Sequence, residues 1–292
     1  MQGIEHWTRK GEVKLFLWQK RARADTPRGT ILFVHGSSMA SQPTFDLQVP
    51  GRPHSSAMEW FAERGFDTWC LDNEGYGRSD KSRPINCDIA NGADDLEAAA
   101  KHINKKLLLY GISSGALKAA LFAQRHPERV ARLALDAFVW TGKGSPTLEQ
   151  RRKRLAEFSA KNRRPIDRAF VYSIFERDHP GTADKATIEA FADAILSLDD
   201  SVPTGTYVDM CSKLPLVDPA KLAVPTIVMR GEFDGIASFD DLLEFYRRLP
   251  HPDKQFAVMA GISHASFQQK NYLGVYHILH AFFSQPEPEY RA

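Results

Sequence analysis

Six short, almost entirely apolar segments recur along the chain, and each ends at a glycine, an aspartate or a glycine-rich turn. They cover residues 30–34, 68–71, 107–110, 132–135, 226–229 and 255–259. Strands that are apolar on both faces are typical of a parallel sheet covered by helices on both sides. Helical periodicity fills most of the intervals between them. The sequence therefore predicts an α/β fold of alternating strands and helices, opened by a hairpin near the N-terminus.

Two stretches interrupt this alternation. Residues 139–223 carry helical patterns between two predicted strands, which predicts a helical insertion, or cap, that divides the core into residues 1–138 and 224–292. Residues 37–56 show no clear periodicity and include several prolines. A loop of this length inside a compact domain is often a lid or a binding wall, although a surface loop without a role has the same appearance in sequence.

Composition excludes several classes of protein. With 38 Lys+Arg against 36 Asp+Glu, the net charge of +2 gives no general attraction to nucleic acid or to an anionic membrane. No apolar run approaches the ~18 residues needed to cross a bilayer, and the N-terminus lacks the apolar core of a signal peptide. The 3 cysteines contain no CxxC pair. We therefore expect a cytoplasmic protein whose partner is a small-molecule substrate, and the sequence does not indicate an oligomeric state.

A glycine-flanked serine follows one of the apolar segments. Residues 107–110 lead into Gly111-Ile112-Ser113-Ser114-Gly115, and a strongly helix-forming run comes next. Strand, G-x-S-x-G and helix in this order are the context of a nucleophile elbow. Small residues two before and two after the serine avoid collisions with the helix and the neighbouring strand. We therefore predict Ser113 as a nucleophile at a helix N-terminus, with a simple Gly/Ser turn between strand and helix as the alternative.

An activated serine needs a base, and the base needs an acid that orients it. His264 follows the last apolar segment and Asp234 follows the one before it, so both belong to the sheet edge that carries Ser113. These three residues form the predicted triad. Asp136 is the rival acid, because it ends the segment after the serine and some proteins of this architecture place the acid there.

The transition state of acyl transfer needs N–H donors for the developing oxyanion. One predicted donor is the backbone amide of Ser114, directly after the nucleophile. The turn after residues 30–34 supplies the other, and we predict the amide of Ser37. His35 lies in the same turn, where we expect it to hold the backbone by side-chain hydrogen bonds rather than to take part in catalysis.

With these features in order, the sequence resembles the α/β-hydrolase superfamily over nearly its whole length. The motifs that carry the resemblance are His35-Gly36, the turn Asp72-Asn73-Glu74-Gly75-Tyr76-Gly77-Arg78-Ser79-Asp80, the pentapeptide at 111–115, Gly231-Glu232-Phe233-Asp234, and Ser263-His264. The resemblance implies a sheet of about eight strands, mostly parallel with the second antiparallel, flanked by helices. It also implies that the helical cap follows the sixth strand.

The serine narrows the chemistry that the resemblance implies. Haloalkane dehalogenases and epoxide hydrolases of this superfamily use an aspartate nucleophile, so Ser113 implies acyl chemistry. We expect a serine hydrolase that cleaves a carboxylic ester or a lactone through an acyl-enzyme. A hydrolase of the C–C bond of a diketone, an amidase and a thioesterase are alternative enzymes, and a non-catalytic ligand receptor on the same fold is the alternative from another class.

Neither a metal nor a cofactor is predicted. The chain has no HExxH motif, and Gly75-Tyr76-Gly77 lacks the third glycine and the following helix of a dinucleotide-binding fingerprint.

Position in the chain suggests walls for the substrate pocket. Met39 and Phe45 lie in the loop after the oxyanion turn, and Trp140 lies at the root of the cap, so we predict that all three face the pocket, with core packing as the alternative for the two aromatic residues. The cap also has a basic part, residues 143–168, with nine basic residues against three acidic ones. It could steer an anionic substrate towards the site. Helical periodicity favours the alternative, in which most of the arginines point at water.

Overall fold

In the computed structural model, which describes residues 1–289, the chain forms an α/β sandwich around one large sheet. Residues 290–292, the end of the predicted core range 224–292, lie outside the described part. The strands are β1 (Ile4–Lys10), β2 (Val13–Lys20), β3 (Gly29–Val34), β4 (Phe66–Leu71), β5 (Leu107–Ile112), β6 (Val130–Asp136), β7 (Arg163–Pro165), β8 (Ser201–Pro203), β9 (Thr226–Gly231) and β10 (Lys254–Met259).

Eight of these strands form the main sheet, in the order β1-β2-β4-β3-β5-β6-β9-β10. β2 runs antiparallel to both of its neighbours, and every pairing from β4 to β10 is parallel. The predicted α/β class and the antiparallel second strand are therefore confirmed.

Helices cover both faces of the sheet, and further helices lie in the segment between β6 and β9. They are α1 (Ser41–Phe45), α2 (Ala57–Ala62), α3 (Ile89–Ile103), α4 (Ser114–Arg125), α5 (Pro146–Arg152), α6 (Leu155–Ser159), α7 (Arg168–Glu176), α8 (Lys185–Leu196), α9 (Gly205–Ser212), α10 (Phe239–Arg248) and α11 (Tyr272–Ser284). None of the helices within residues 1–289 has the length and apolarity that crossing a bilayer requires.

Alternate side chains of one strand show why the apolar segments are continuous. Leu32 of β3 belongs to the apolar cluster that includes residues of α3, α4 and α10, whereas the adjacent Phe33 belongs to the cluster on the opposite face, which includes residues of α2 and α11. Successive side chains of a strand point to opposite faces, so a strand buried on both sides needs apolar residues throughout. The parallel strands also end at a common edge, which brings the loops after β3, β5, β9 and β10 together.

The segment between β6 and β9 contains α5 to α9 and a small two-stranded ladder of β7 and β8. The helical pattern predicted for this segment includes two short helices, α5 and α6, which are separated at residues 153–154. The ladder was not predicted, because strands of three residues are too short to show a periodicity. Within this segment α7 and α8 share a separate apolar cluster, which includes Val171 and Phe191. The division into core and cap, with the cap at residues 139–223, stays a prediction.

The long loop at 37–56 is largely buried and begins with the short helix α1. Arg52 holds the C-terminal part of this loop in position. The Arg52 guanidinium donates hydrogen bonds to the carbonyl oxygens of Phe267 (3.1 Å) and Gln269 (2.7 Å). These carbonyls follow His264 closely in the chain. The loop is thus held against the segment that carries the predicted base.

Candidate active site

The predicted nucleophile lies on a sharp turn between β5 and α4. Ser113 has φ 57° and ψ −125°, a conformation that non-glycine residues rarely adopt. A Cβ on Gly111 would lie 2.4 Å from the carbonyl oxygen of Gly115, and a Cβ on Gly115 would lie 2.3 Å from that of Val34. Larger residues at these two positions would push the helix away from the sheet, so the glycines permit the turn that exposes the Ser113 hydroxyl.

The structure brings the three predicted triad residues together. Nε2 of His264 lies 3.0 Å from Oγ of Ser113, and Nδ1 lies 3.1 and 3.2 Å from the two carboxylate oxygens of Asp234. All three side chains are buried. With Asp234 ionised, Nδ1 of His264 carries the proton and donates it to the carboxylate. Nε2 is then free to accept a hydrogen bond from the Ser113 hydroxyl.

The surroundings of Asp234 keep it ionised. Burial opposes ionisation, but the charge and hydrogen bond of His264, together with amide hydrogen bonds from Ile236 (2.8 Å) and Ala237 (3.2 Å), outweigh it and lower the pKa of Asp234 to about 2. The turn that carries Asp234 is also bonded to the loop that carries His264, because the amide of Phe233 donates a hydrogen bond of 2.9 Å to the carbonyl oxygen of Ile262. The predicted acid and the predicted base are therefore held by two loops that are hydrogen-bonded to each other.

The rival acid occupies a different environment. Asp136 is fully buried, and its Oδ2 accepts a hydrogen bond of 2.6 Å from the hydroxyl of Tyr110. Burial, with a further contribution from the charge of Asp234, raises the pKa of Asp136 to about 7. His264 makes its carboxylate contacts with Asp234 rather than with Asp136.

The raised pKa of Asp136 predicts a pH-dependent stability. An unfolded aspartate titrates near about 3.9, so the native state binds more protons than the unfolded state between about pH 4 and pH 7, and stability falls as the pH rises through this range. Asp136→Asn removes this loss. We expect the free energy of unfolding of the variant to rise relative to the wild type by up to ~4 kcal/mol between pH 4 and pH 8. Urea titrations at several pH values measure it, and a constant difference between the two proteins would contradict it.

The two predicted oxyanion donors are backbone amides near the start of α4 and after β3. Ser114 is the first residue of α4, and Ser37 lies in the buried turn after β3. Within residues 1–289, neither amide donates a hydrogen bond to another protein group. Ser37 also lines the cleft over Ser113. Both predicted donors are thus without a protein acceptor among the described residues, and both remain predictions for the oxyanion site.

His35 holds this turn. Its Nδ1 lies 2.8 Å from the carbonyl oxygen of Gly36, and its Nε2 accepts the amide proton of Asn73 at 3.0 Å. Burial, reinforced by the charge of Lys118, places the pKa of His35 well below its usual value, so the ring stays neutral. A neutral ring with both nitrogens engaged positions backbone and has no proton to exchange with a substrate.

The predicted pocket residues divide. Met39 lines a narrow cleft of about 20 Å³ over Ser113 and His264. Phe45 does not face it, because its ring packs in the core 5.1 Å from that of Phe33. Trp140 also lies away from it, since its indole N–H donates to the carbonyl of Val217 at 3.1 Å and its ring packs 5.9 Å from that of Phe245. For these two aromatics the pocket prediction is replaced by core packing.

A larger cavity of about 530 Å³, the wide cavity, adjoins the cleft. The two share three lining residues, Arg151, Arg177 and Tyr207. The aromatic and proline lining of the wide cavity comes from Pro146, Phe158, Pro165 and Phe170. All of these residues belong to the segment between β6 and β9, so that segment forms most of the lining of the wide cavity.

Several of these lining residues carried no specific sequence signal. Tyr207 lies on α9, a helix that no periodicity predicted. Arg151 belongs to the basic part of the predicted cap, but helical periodicity favoured the prediction that most of those arginines point at water. α5 ends at Arg152 and α6 begins at Leu155, so the two helices do not share one stripe, and Arg151 turns into the wide cavity.

One group of side chains has metal-ligand chemistry. Asp178, Asp234 and His264 each place one ligand atom within 4.8 Å of the others. Asp234 and His264 are engaged with each other and with Ser113, and Asp178 accepts hydrogen bonds from Arg177 (3.2 Å) and Thr147 (3.1 Å). These bonds suit proton transfer at Ser113, and a metal ion would have to displace them.

Comparisons with known proteins identify a family and a fold for this chain. The family model described as serine aminopeptidase, S33, matches residues 25–271. Among solved structures, E-2-(acetamidomethylene)succinate hydrolase superposes with a TM-score of 0.72 at 18% identity, covering 96% of this chain and 98% of that one.

Two further solved structures are an esterase and a lipase. A thermophilic esterase from Thermogutta terrifontis, with malate bound, superposes with a TM-score of 0.67 at 22% identity and covers 97% and 100% of the two chains. A soluble variant of monoglyceride lipase from Saccharomyces cerevisiae gives 0.70 at 18% identity, with 95% and 94% covered. At such identities the likeness establishes the shared α/β-hydrolase fold.

Proposed function

Because the chain belongs to the serine aminopeptidase S33 family of α/β hydrolases and is a hydrolase, we propose that it cleaves a small-molecule carboxylic ester or lactone through an acyl-enzyme on Ser113. The observation that carries the proposal is the hydrogen-bonded series from Asp234 through His264 to Ser113, at the floor of a cleft. The adjoining wide cavity of about 530 Å³ lies within the usual range for small-molecule sites.

The reaction follows from these positions. Oγ of Ser113 attacks the acyl carbon while Nε2 of His264 takes its proton, and Asp234 stabilises the resulting imidazolium. The amides of Ser37 and Ser114 bind the oxyanion. Collapse of the intermediate breaks the acyl–oxygen bond, and His264 returns the proton to the departing alkoxide.

Deacylation repeats these steps with water. His264 removes a proton from the water molecule that attacks the acyl carbon, and the proton returns to Oγ of Ser113 as the carboxylic acid leaves. The products are one alcohol and one acid, or a single hydroxy acid from a lactone. All proton transfers use groups of this chain and water. We further propose that residues 139–223 act as a cap, because Ile174 and Tyr207 from this segment line the cleft over Ser113.

The charge in the wide cavity favours an ester or a lactone as the substrate over a peptide with a free N-terminal amine. A substrate of an aminopeptidase brings an ammonium group that needs unpaired carboxylates. Four arginines and two carboxylates line the wide cavity, and both carboxylates already bind arginines. An ammonium group there would meet a net positive field.

A substrate panel tests the proposal. The panel contains 4-nitrophenyl butyrate, a γ-lactone, an aminoacyl 4-nitroanilide, a thioester and a dienoic diketone, each assayed with the wild type and with Ser113→Ala as the blank. We expect the highest kcat/KM for the ester or the lactone. A higher value for the anilide, thioester or diketone would replace the proposed substrate class, and the absence of turnover on all five would favour a binding role.

A further inference from the structure

The wide cavity contains more positive charge than its own carboxylates neutralise. Arg154 is paired with Glu157 at 2.8 Å, and Arg177 is paired with Asp178 at 3.2 Å. The other two arginines of the lining, Arg151 and Arg164, have no carboxylate within salt-bridge distance among residues 1–289. Both are only partly exposed.

Arg151 and Arg164 are positioned by a shared aromatic ring. The guanidinium carbon of Arg151 lies 4.3 Å from the ring centroid of Tyr207, and that of Arg164 lies 4.2 Å from it. Nη2 of Arg164 donates a hydrogen bond of 2.6 Å to Oγ of Ser38, whereas its Nε is buried without an acceptor. Both guanidinium groups are therefore held against the ring of Tyr207, and Arg164 retains an N–H without an acceptor.

The positive charge of Arg151 and Arg164 also acts on the hydroxyl of Tyr207. Burial opposes ionisation of the phenol, but the positive charges of Arg151 and Arg164, with a hydrogen bond from Ser38 and the charge of Arg177, lower the pKa of Tyr207 to about 7. Burial and the charges of Arg177 and Arg164 also lower the pKa of Arg151 to about 10, which leaves it protonated at neutral pH. The surroundings thus favour a negative charge strongly enough to draw even a phenol towards its anion.

Holding two partly buried cations without a carboxylate partner costs desolvation free energy that a bound anion would offset. A carboxylate fits this need, because it accepts paired N–H donors from guanidinium groups. Phe158 and Phe170 in the same wall offer apolar surface to the rest of such a molecule. The wide cavity shares Arg151 with the cleft over Ser113, so one ligand can reach both places.

We propose that Arg151 and Arg164 bind a carboxylate of the substrate, so that the enzyme selects esters or lactones that carry an organic acid on an apolar body. The assignment of the reacting bond rests on the proposed function. The binding of the carboxylate does not.

Two matched substrate pairs test the selection. For the acyl side, 4-nitrophenyl hydrogen adipate is compared with methyl 4-nitrophenyl adipate, in which the carboxylate is capped. For the alcohol side, 4-acetoxybenzoate is compared with 4-acetoxybenzamide. We expect the wild type to prefer the anion at least tenfold in kcat/KM in one of the pairs. Arg151→Gln/Arg164→Gln should abolish this preference by lowering kcat/KM for the anion at least tenfold more than kcat/KM for the neutral member.

Controls separate charge at the site from charge in general. Arg152→Gln removes an exposed cation of the same helix α5 and should leave the preference unchanged. Arg164→Lys keeps the charge but loses the forked geometry, and it should retain part of the preference. The neutral substrates also report whether the double variant is folded.

Failure of this inference is distinguishable from failure of the proposed function. Equal kcat/KM values within both pairs, or a preference that survives in the double variant, would overturn the carboxylate site while leaving ester hydrolysis intact. If the wild type hydrolyses no ester, calorimetric titration with adipate and with benzoate still tests whether Arg151 and Arg164 bind a carboxylate. We then expect one of the two to bind with a Kd that the double variant weakens at least tenfold, and the absence of binding to the wild type would overturn the proposal.

Discussion

Ser113→Ala is expected to lower kcat by about 10⁴- to 10⁶-fold while leaving the fold intact. The loss is this large because the members of such a triad act as a unit, so that removing the nucleophile removes the covalent route altogether. The alanine keeps the backbone and the Cβ of the elbow, where Ser113 has a φ of 57°. Steady-state kinetics with the best ester of the panel, together with a urea titration of each protein, measure the two effects.

The neighbouring serine provides the discriminating comparison. Oγ of Ser114 is buried without a partner, and only its amide is assigned a role, so Ser114→Ala should retain most of the activity. Ser212→Ala, at an exposed position on α9, controls for substitution in general. Retention of more than about a tenth of the activity by Ser113→Ala, or a larger loss in Ser114→Ala, would move the nucleophile away from Ser113.

Asp234→Asn is expected to lower kcat by about 10³- to 10⁴-fold. The asparagine can donate an N–H to Nδ1 of His264. This favours the tautomer of His264 that carries its proton on Nε2, and a protonated Nε2 cannot accept the proton of Ser113. Without the carboxylate, the imidazolium of the transition state also loses its counter-charge. The amides of Ile236 and Ala237 still have an oxygen to bind, so the loop should keep its conformation.

Asp136→Asn is the matched control for this substitution. Both residues are buried aspartates at the ends of adjacent strands, but the carboxylate of Asp136 binds the hydroxyl of Tyr110 instead of the imidazole. We expect a loss of less than about tenfold in kcat. A ranking in which Asp136→Asn loses more activity than Asp234→Asn would reassign the acid, and the pH dependence of kcat/KM in both variants would show which carboxylate orients His264.

The positions of the loops that carry the predicted triad could be inferred from the sequence because few physical constraints determine them. Strands buried on both faces need unbroken apolar segments, and the carboxyl ends of parallel strands share one edge. Loops that pack as closely as those at Gly111, Gly115 and Gly231 exclude a Cβ, since at Gly231 it would lie 2.4 Å from the carbonyl oxygen of Ser263. Each of these features leaves a local pattern in the sequence.

The pocket walls were less predictable because long-range packing determines them. Phe45 lies in a loop without periodicity, and its ring direction depends on Phe33 and Phe267, which are distant in the chain. Trp140 is turned into the core by Val217, 77 residues further on. The prediction that most arginines of residues 143–168 point at water assumed one continuous helix. The structure has an interruption between α5 and α6, and Arg151 therefore takes a different direction.

The most direct test of covalent catalysis is to trap the acyl-enzyme. Wild-type protein is mixed rapidly with the 4-nitrophenyl ester that it hydrolyses best, quenched in acid within the first turnover, and digested with trypsin for mass spectrometry. The account predicts that the peptide of residues 107–118 gains the mass of the acyl group, that fragmentation places it on Ser113, and that Asp234→Asn forms the same adduct more slowly. Turnover without an adduct on this peptide, or an adduct on any other residue, would contradict it.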